Sequence, residues 1–311
     1  MTSKDHRDLL SLDDLSPAEM EQLLRRAREL KQARQQKIPI DSLQGRMLGM
    51  IFEKASTRTR VSFEVGMLQL GGHALFLSAK ETQMGRGETL EDSARVLSRY
   101  VDGLMVRTYA HERLRVLAQY ASIPVINGLS DSFHPCQVLA DLLTYQEHRG
   151  PITQRRVAWI GDGNNMANTW MQAAVLAGFH LTLACPDGYQ PDAGLVTLTQ
   201  QRLQGRSDAS LTLVSDPVIA ATDADLIITD TWTSMGQEQE QQQRLAAFSG
   251  YQVNEALMER TAQTSLFMHC LPAHRGEEVT SEVLDGPRSV VWDEAENRLH
   301  IQKAILEWLL S

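Results

Sequence analysis

The chain has 311 residues, 42% of them hydrophobic, and carries 30 basic against 39 acidic side chains for a net charge of −9. That length exceeds the size at which a single core stops growing, so two domains are expected. The acidic balance excludes broad nucleic-acid binding, which needs a basic surface, and no apolar run reaches the length needed to span a bilayer.

Residues 1–14 are charged and lack an apolar core, so they read as neither a secretory signal nor an anchor. The three cysteines, Cys136, Cys185 and Cys270, show no paired zinc spacing and no C-x-x-C. The expected setting is a reducing cytoplasm. In chain order, Ser16-Pro17-Ala18-Glu19 is a helix start with cap, first-turn proline and capping box. Met20, Leu23, Leu24, Ala27 and Leu30 then form an apolar stripe that packs on the body. Predicted strands at 47–52, 74–77, 103–107 and 124–127 alternate with predicted helices at 59–70, 89–100, 112–121 and 135–147. This is the rhythm of a parallel α/β sheet.

His148-Arg149-Gly150-Pro151 is turn chemistry and marks a domain boundary. Strands then follow at 157–160, 181–184, 211–214, 226–229 and 265–269, with helices at 165–177, 193–204 and 255–260. The Gln/Glu tract 237–243 reads as an exposed loop and helix start. A last helix, 294–310, bears Leu299, Ala304, Ile305, Trp308 and Leu309 and is expected to dock back on the first domain. The expected fold is α/β, with domains 1–149 and 150–293, each a parallel sheet flanked by helices, and the helix 294–311 returning to the first.

Ser56-Thr57-Arg58-Thr59-Arg60 lies where the first strand turns into a helix carrying Val61, Val65 and Leu68 on one face. Unpaired N–H groups and the positive dipole end make such a turn a seat for phosphate. Arg58 adds a planar fork for two phosphate oxygens. The segment lacks the Gly-rich lysine motif of a nucleotide P-loop. The plainer alternative is that Ser56 only caps the helix. Lys54, Arg58, Arg60, Arg86 and Arg107 can make a locally positive pocket within the acidic whole.

Arg107 ends an apolar strand and points to the crevice at the sheet edge, with a salt bridge as the alternative. His134 and Gln137 share one face at a helix start, as oxygen donors or as caps. Gly161-Asp162-Gly163-Asn164-Asn165-Met166 approaches a dinucleotide fingerprint, but Met166 stands where the third glycine belongs. Asn164 and Asn165 can meet a polar amino-acid head group or simply cap the helix. Asp230, at the end of a strand, can hold an ammonium, and Ser234-Met235-Gly236 beyond it offers backbone donors in a loop able to act as a lid. Cys270, at the last strand's end, is a reactive or a buried structural thiol.

Together these segments resemble the aspartate/ornithine carbamoyltransferase family across nearly the whole chain, and within it the ornithine branch. The resemblance rests on Phe52–Arg60, His134-Pro135-Cys136-Gln137, Asp230–Gly236 and His269-Cys270-Leu271-Pro272. It implies a carbamoyl-phosphate-binding domain at 1–149 and an ornithine-binding domain at 150–293. Carbamoyl phosphate would be held by Ser56, Thr57, Arg58, Thr59, Arg107, His134, Gln137, Cys270, Leu271 and Arg298, with Gln83 reaching in from a neighbouring subunit. Asn165, Asp230, Ser234 and Met235 would hold ornithine. A homotrimer with active sites at subunit interfaces, no cofactor and no metal are implied, and no nucleic-acid or membrane partner is expected.

In the implied reaction the δ-amine attacks the carbamoyl carbon, a tetrahedral oxyanion forms and phosphate leaves. Arg107, His134 and Thr59 would stabilise the oxyanion, at about 3 kcal/mol for each preorganised donor. Cys270 and Asp230 would favour the neutral amine. The readings weighed against this are a dinucleotide-dependent dehydrogenase, a non-catalytic binding protein on the same fold, and a sibling transferase acting on putrescine or another amine.

Overall fold

The structure, a computed structural model, describes residues 6–78, 87–233 and 238–311. The chain divides into two compact units, one of Met1–Leu143 with Glu296–Ser311 and one of Thr144–Ala295.

The first unit opens with α1 (Pro17–Gln35). Ser16 Oγ accepts from Glu19 N–H while the Glu19 carboxylate accepts from Ser16 N–H at 2.8 Å, closing the capping box. The stripe from Met20 to Leu30 is buried. Four parallel strands follow, β1 (Met47–Phe52), β2 (His73–Ser78), β3 (Gly103–Arg107) and β4 (Val125–Leu129), in the spatial order β2-β1-β3-β4. The connections are α2 (Thr57–Gln69), α3 (Leu90–Leu97) and α4 (His111–Tyr120), and α5 (Pro135–Arg149) follows β4. Strands buried on both faces read as unbroken apolar runs, which is why β1 and β3 stand out in the sequence. Ile51, Leu104, Val106, Leu114, Leu117 and Val125 pack together in the core.

Several bounds differ from the sequence reading. The helix expected to end at 147 continues to Arg149, and Gly150, at φ 77°, ends it with the positive φ that glycine tolerates. Predicted helix 89–100 stops at Leu97, and Ser98 Oγ bonds back to Ala94 O at 2.6 Å. On α2 the face holding Val61 and Leu68 is solvent-exposed, and the buried residues are Thr59, Phe63, Gly66 and Met67. Phe63 and Met67 lie one turn apart and outweigh Val61 and Leu68 in apolar area.

The last helix, α12 (Val291–Leu310), begins three residues before its predicted start, and from Glu296 onward it belongs to the first unit. A Cβ on Gly66 would meet Lys303, Leu299 and Leu306 side chains at 3.4–3.7 Å, so α2 and α12 approach closely there. Arg26 clamps Glu307 with two bonds of 2.6 and 3.0 Å, and Lys31 Nζ donates to Asn297 Oδ1 at 2.8 Å.

The second unit holds β5 (Arg156–Ile160), β6 (His180–Ala184), β7 (Ser210–Val214), β8 (Leu226–Thr229) and β9 (Leu266–His269), all parallel and ordered β7-β6-β5-β8-β9. Its helices are α6 (Asn165–Ala177), α7 (Ala193–Leu203), α8 (Pro217–Ala221), α9 (Gln241–Ala247), α10 (Glu255–Met258) and α11 (Ser281–Leu284). Two of these, α8 and α11, have no predicted span, and α9 begins within the 237–243 tract read as a loop and helix start. Trp232 stacks on Phe248 with ring centres 5.6 Å apart, next to Ala158, Ile227 and Phe267 in the core. Among the described residues, no helix is long and apolar enough to cross a membrane.

Candidate active site

In the first unit, the carboxyl ends of β1, β3 and β4 carry the predicted anion-binding residues. Ser56 sits in extended backbone and its Oγ accepts from Thr59 N–H at 3.3 Å, which starts α2. Thr57 and Arg58 are exposed in the first turn, while Thr59 is fully buried. Arg298, on α12 and buried, donates from Nη2 to Thr59 Oγ1 at 2.8 Å, and Ser56 Oγ lies 3.1 Å from the same hydroxyl. The helix cap, a first-turn hydroxyl and a distant arginine are thus one bonded set.

Arg107 is the last residue of β3, at a register shift against β4, and is buried. Its carbonyl accepts from Glu53 N–H at 2.8 Å, and the Glu53 carboxylate accepts from Thr108 Oγ1 and from Arg113 Nε (2.8 Å). One carboxylate therefore ties the ends of β1 and β3 together. His134 precedes α5 in a turn built by buried polar residues. Ser130 N–H donates to Phe133 O at 3.0 Å, and Asn127 Nδ2 donates to Phe133 O at 3.2 Å. Burial first, then the charges of Arg298 and Arg107, push the His134 imidazolium pKa well below its ordinary value, so the ring is neutral at pH 7. One turn on, Gln137 Nε2 donates to Asp141 Oδ1 at 2.8 Å, which fixes the amide's orientation.

Two members of the expected positive pocket have structural partners. Lys54 is ion-paired with Asp131 and lies 4.2 Å from the Tyr109 ring centre, and Arg60 lies 3.9 Å from that of Phe76. Arg86 and Gln83 lie outside the described residues.

In the second unit, Asp230 follows β8 and is the centre of a second polar set. Its carboxylate accepts from Asn164 Nδ2 at 3.0 Å, Thr231 N–H at 2.7 Å and Cys270 Sγ at 3.1 Å. Asn164 also caps α6, accepting from Met166 N–H at 2.9 Å, which is the capping role the sequence offered. Asn165 is the first residue of α6. Ser234 and Met235 lie outside the described residues. Burial pushes the Cys136 and Cys185 thiols up to about 12 and leaves them inert.

The Cys270–Leu271 turn is held by residues that sequence reasoning missed. His269 is fully buried; its Nδ1 accepts from Leu271 N–H at 2.9 Å and its Nε2 faces Glu278 Oε1 at 3.0 Å. That pattern is a neutral ring with the proton on Nε2. His269 N–H donates to Glu294 Oε2 at 2.9 Å. Arg244, buried, ties Trp232 O (2.6 Å) to the Asp162 carboxylate. Partners nine to 82 residues apart along the chain leave no helix or strand spacing signal that could have shown them.

The glycines of the near-fingerprint serve packing. Gly163 N–H donates to Tyr189 O at 2.8 Å, and a Cβ at Gly163 would lie 2.2 Å from Pro191 N. Segment 189–191 occupies the space beside that turn.

One unit thus carries hydroxyls, arginines and a neutral histidine at its strand ends, and the other carries a carboxylate–thiol pair at its own. Residues 7–147 match the family model described as the aspartate/ornithine carbamoyltransferase carbamoyl-P binding domain, and residues 153–309 match the Asp/Orn binding domain of that family. A protein of Halorhodospira halophila described as ornithine carbamoyltransferase is 59% identical over 304 residues, covering 98% of this chain and 99% of that protein. One of Pseudomonas aeruginosa, described as ornithine carbamoyltransferase, anabolic, is 56% identical over 98% of this chain and 97% of its own length. The solved ornithine carbamoyltransferase of Pyrococcus furiosus superposes with a TM-score of 0.94 at 50% identity, covering 98% of this chain and 97% of that one. The chain belongs to the aspartate/ornithine carbamoyltransferase family.

Proposed function

We infer that this chain transfers the carbamoyl group of carbamoyl phosphate to the δ-amine of L-ornithine, giving L-citrulline and phosphate. One observation carries the reading. Ser56, Thr59, Arg107, His134 and Arg298 stand at the carboxyl ends of neighbouring parallel strands, in a chain whose near-full-length relatives are described as ornithine carbamoyltransferases. The P. aeruginosa relative is described as anabolic, which supports citrulline formation as the working direction.

We assign carbamoyl phosphate to the first domain, 1–149, and ornithine to the second, 150–293, with the helix 294–311 supplying Arg298. The α2 N-terminus, Ser56, Thr57, Arg58 and Thr59 receive the phosphate, with Arg298 and a partner subunit's copy of Gln83 closing over it. Arg107, neutral His134 and Thr59 donate to the carbonyl oxygen as it becomes an oxyanion. Gln137, its amide nitrogen held by Asp141, turns its oxygen toward the carbamoyl NH2. Asn165, Asp230, Ser234 and Met235 take ornithine's amino and carboxylate groups. Cys270, bonded to Asp230, lies by the δ-amine, and Leu271 offers its carbonyl. The new N–C bond forms, the C–O bond to phosphate breaks, and the amine proton leaves to solvent or phosphate. Positioning two substrates supplies much of the remaining acceleration.

The assembly we propose is a homotrimer. Val61 and Leu68 on α2, with Leu75 and Phe76 on the edge strand β2, leave large apolar side chains exposed on the single chain. The opposite edge, β4, is covered by Leu9. The proposed compartment is the cytoplasm, in keeping with three free thiols.

The deciding experiment is citrulline formation from carbamoyl phosphate and L-ornithine, with L-aspartate and putrescine as parallel acceptors. Turnover with ornithine alone is expected. Turnover with putrescine instead would shift the assignment to a sibling transferase, and no turnover from folded protein would overturn it.

A further inference from the structure

The loop after Cys270 carries a group of donors that carbamoyl transfer does not use. Gly276 N–H donates to Val279 O and Glu277 N–H to His274 O, both at 2.9 Å, with Gly276 at φ 90°. This tight closure folds the H-x-x-E-E spacing onto itself. His274 Nδ1 stands 3.8 Å from both Glu277 Oε2 and Glu278 Oε2, and a donor atom from each of the three residues lies within 4.8 Å of the other two. Around a tetrahedral ion with bonds of about 2.0–2.2 Å, donors sit roughly 3.3–3.6 Å apart. Small side-chain rotations would bring these three to that spacing.

A second observation is independent of the clustering. Glu278 is fully buried, and its Oε1 is engaged by His269 Nε2 at 3.0 Å and by His274 N–H at 2.6 Å. Its Oε2 is also buried, makes no hydrogen bond and faces His274 Nδ1. A buried carboxylate oxygen without a donor is costly, and a cation is the ligand that satisfies it. His274 is exposed and Glu277 half-exposed, which gives an ion a way in.

We propose that His274, Glu277 and Glu278 form a binding site for a divalent transition metal of the zinc class, with one nitrogen and two carboxylate ligands and a position open to water. Glu278 is shared with His269, which holds Leu271 N–H. An ion on Oε2 is therefore coupled, through one carboxylate and one imidazole, to the Cys270–Leu271 turn.

The other set of three donors among the described residues is Asp230, His269 and Cys270, so the test is made in Cys270→Ala protein, where that set lacks its thiol. Metal-free Cys270→Ala protein is titrated with Zn2+ by calorimetry, and with Co2+ for its visible spectrum. One Zn2+ per chain is expected, with affinity falling at least about tenfold when His274→Ala or Glu277→Gln is added. Circular dichroism and unfolding midpoints establish that these variants fold. No saturable binding, or affinity unchanged by both added substitutions, overturns the proposal. In the Cys270→Ala background His274→Ala is expected to lose the rise in unfolding temperature that Zn2+ gives, and in the otherwise native chain it is expected to keep ornithine turnover within about twofold.

Discussion

His134 limits how the reaction can run. Buried beside Arg107 and Arg298, it is uncharged at neutral pH, and in the proposed reaction its part is that of a fixed hydrogen-bond donor. The pH dependence of turnover should then follow the loss of a proton from the amine, whose ordinary pKa is about 10.4. His134→Asn is expected to lower kcat by roughly 10²–10³ without moving that limb, as judged from pH–rate profiles. A limb that moved with the substitution would make His134 a titrating acid or base. His111, at the start of α4, shows the stability side of the same physics. Burial first, then the charge of Arg115, lowers its pKa to about 4, with Glu112 opposing. Its unfolded value is about 6.5, so the unfolded chain binds more protons between pH 6.5 and 4. The stability that neutral His111 contributes is present above pH 6.5 and lost as the pH falls through that window. His111→Asn should flatten the fall of the urea midpoint between pH 7 and 4.

At the scale of elements, turns carry the chemistry and caps make the turns. Ser56→Ala removes the α2 cap and is expected to cost roughly 1 kcal/mol of stability in urea unfolding. Carbamoyl-phosphate KM should rise in the same variant. Gly163→Ala is expected to cost roughly 1–3 kcal/mol, because its Cβ would strike backbone at Pro191 that cannot rotate aside. The strands β1, β3, β5 and β8 were legible because buried parallel strands are continuous apolar runs. The short helices α8 and α11 were not, while α10, equally short, fell within a predicted helix at 255–260. Helical spacing alone could not say which α2 face is buried, because Val61, Val65 and Leu68 keep it as well as Phe63 and Met67 do. The turn at Ser56–Arg60 was legible as a strand-to-helix junction rich in hydroxyls and arginine. The supports of the Cys270 turn were not, because Glu278 and Glu294 reach it only through the folded chain.

For the whole molecule, the exposed face of α2 and β2 sets the expectation. Leu68→Glu combined with Leu75→Glu places charge on surface that the single chain leaves apolar. Sedimentation should show the proposed trimer replaced by monomer, with turnover lost while circular dichroism stays native. A variant that keeps its oligomeric state would move the interface elsewhere. Parallel pairing and the return of α12 to the first unit make contacts of long sequence separation common, for which slow refolding is expected.

That return has a consequence for synthesis on the ribosome. The first unit is interrupted in the chain, with Thr144–Ala295 inserted before its final segment, Glu296–Ser311. At ~5–20 residues per second, a nascent chain waits roughly 8–30 s between finishing Leu143 and receiving that segment. Throughout that interval α2 lacks the partners that cover Gly66, and Thr59 lacks Arg298. The emerging first half therefore spends those seconds with the α2 face at Gly66 uncovered.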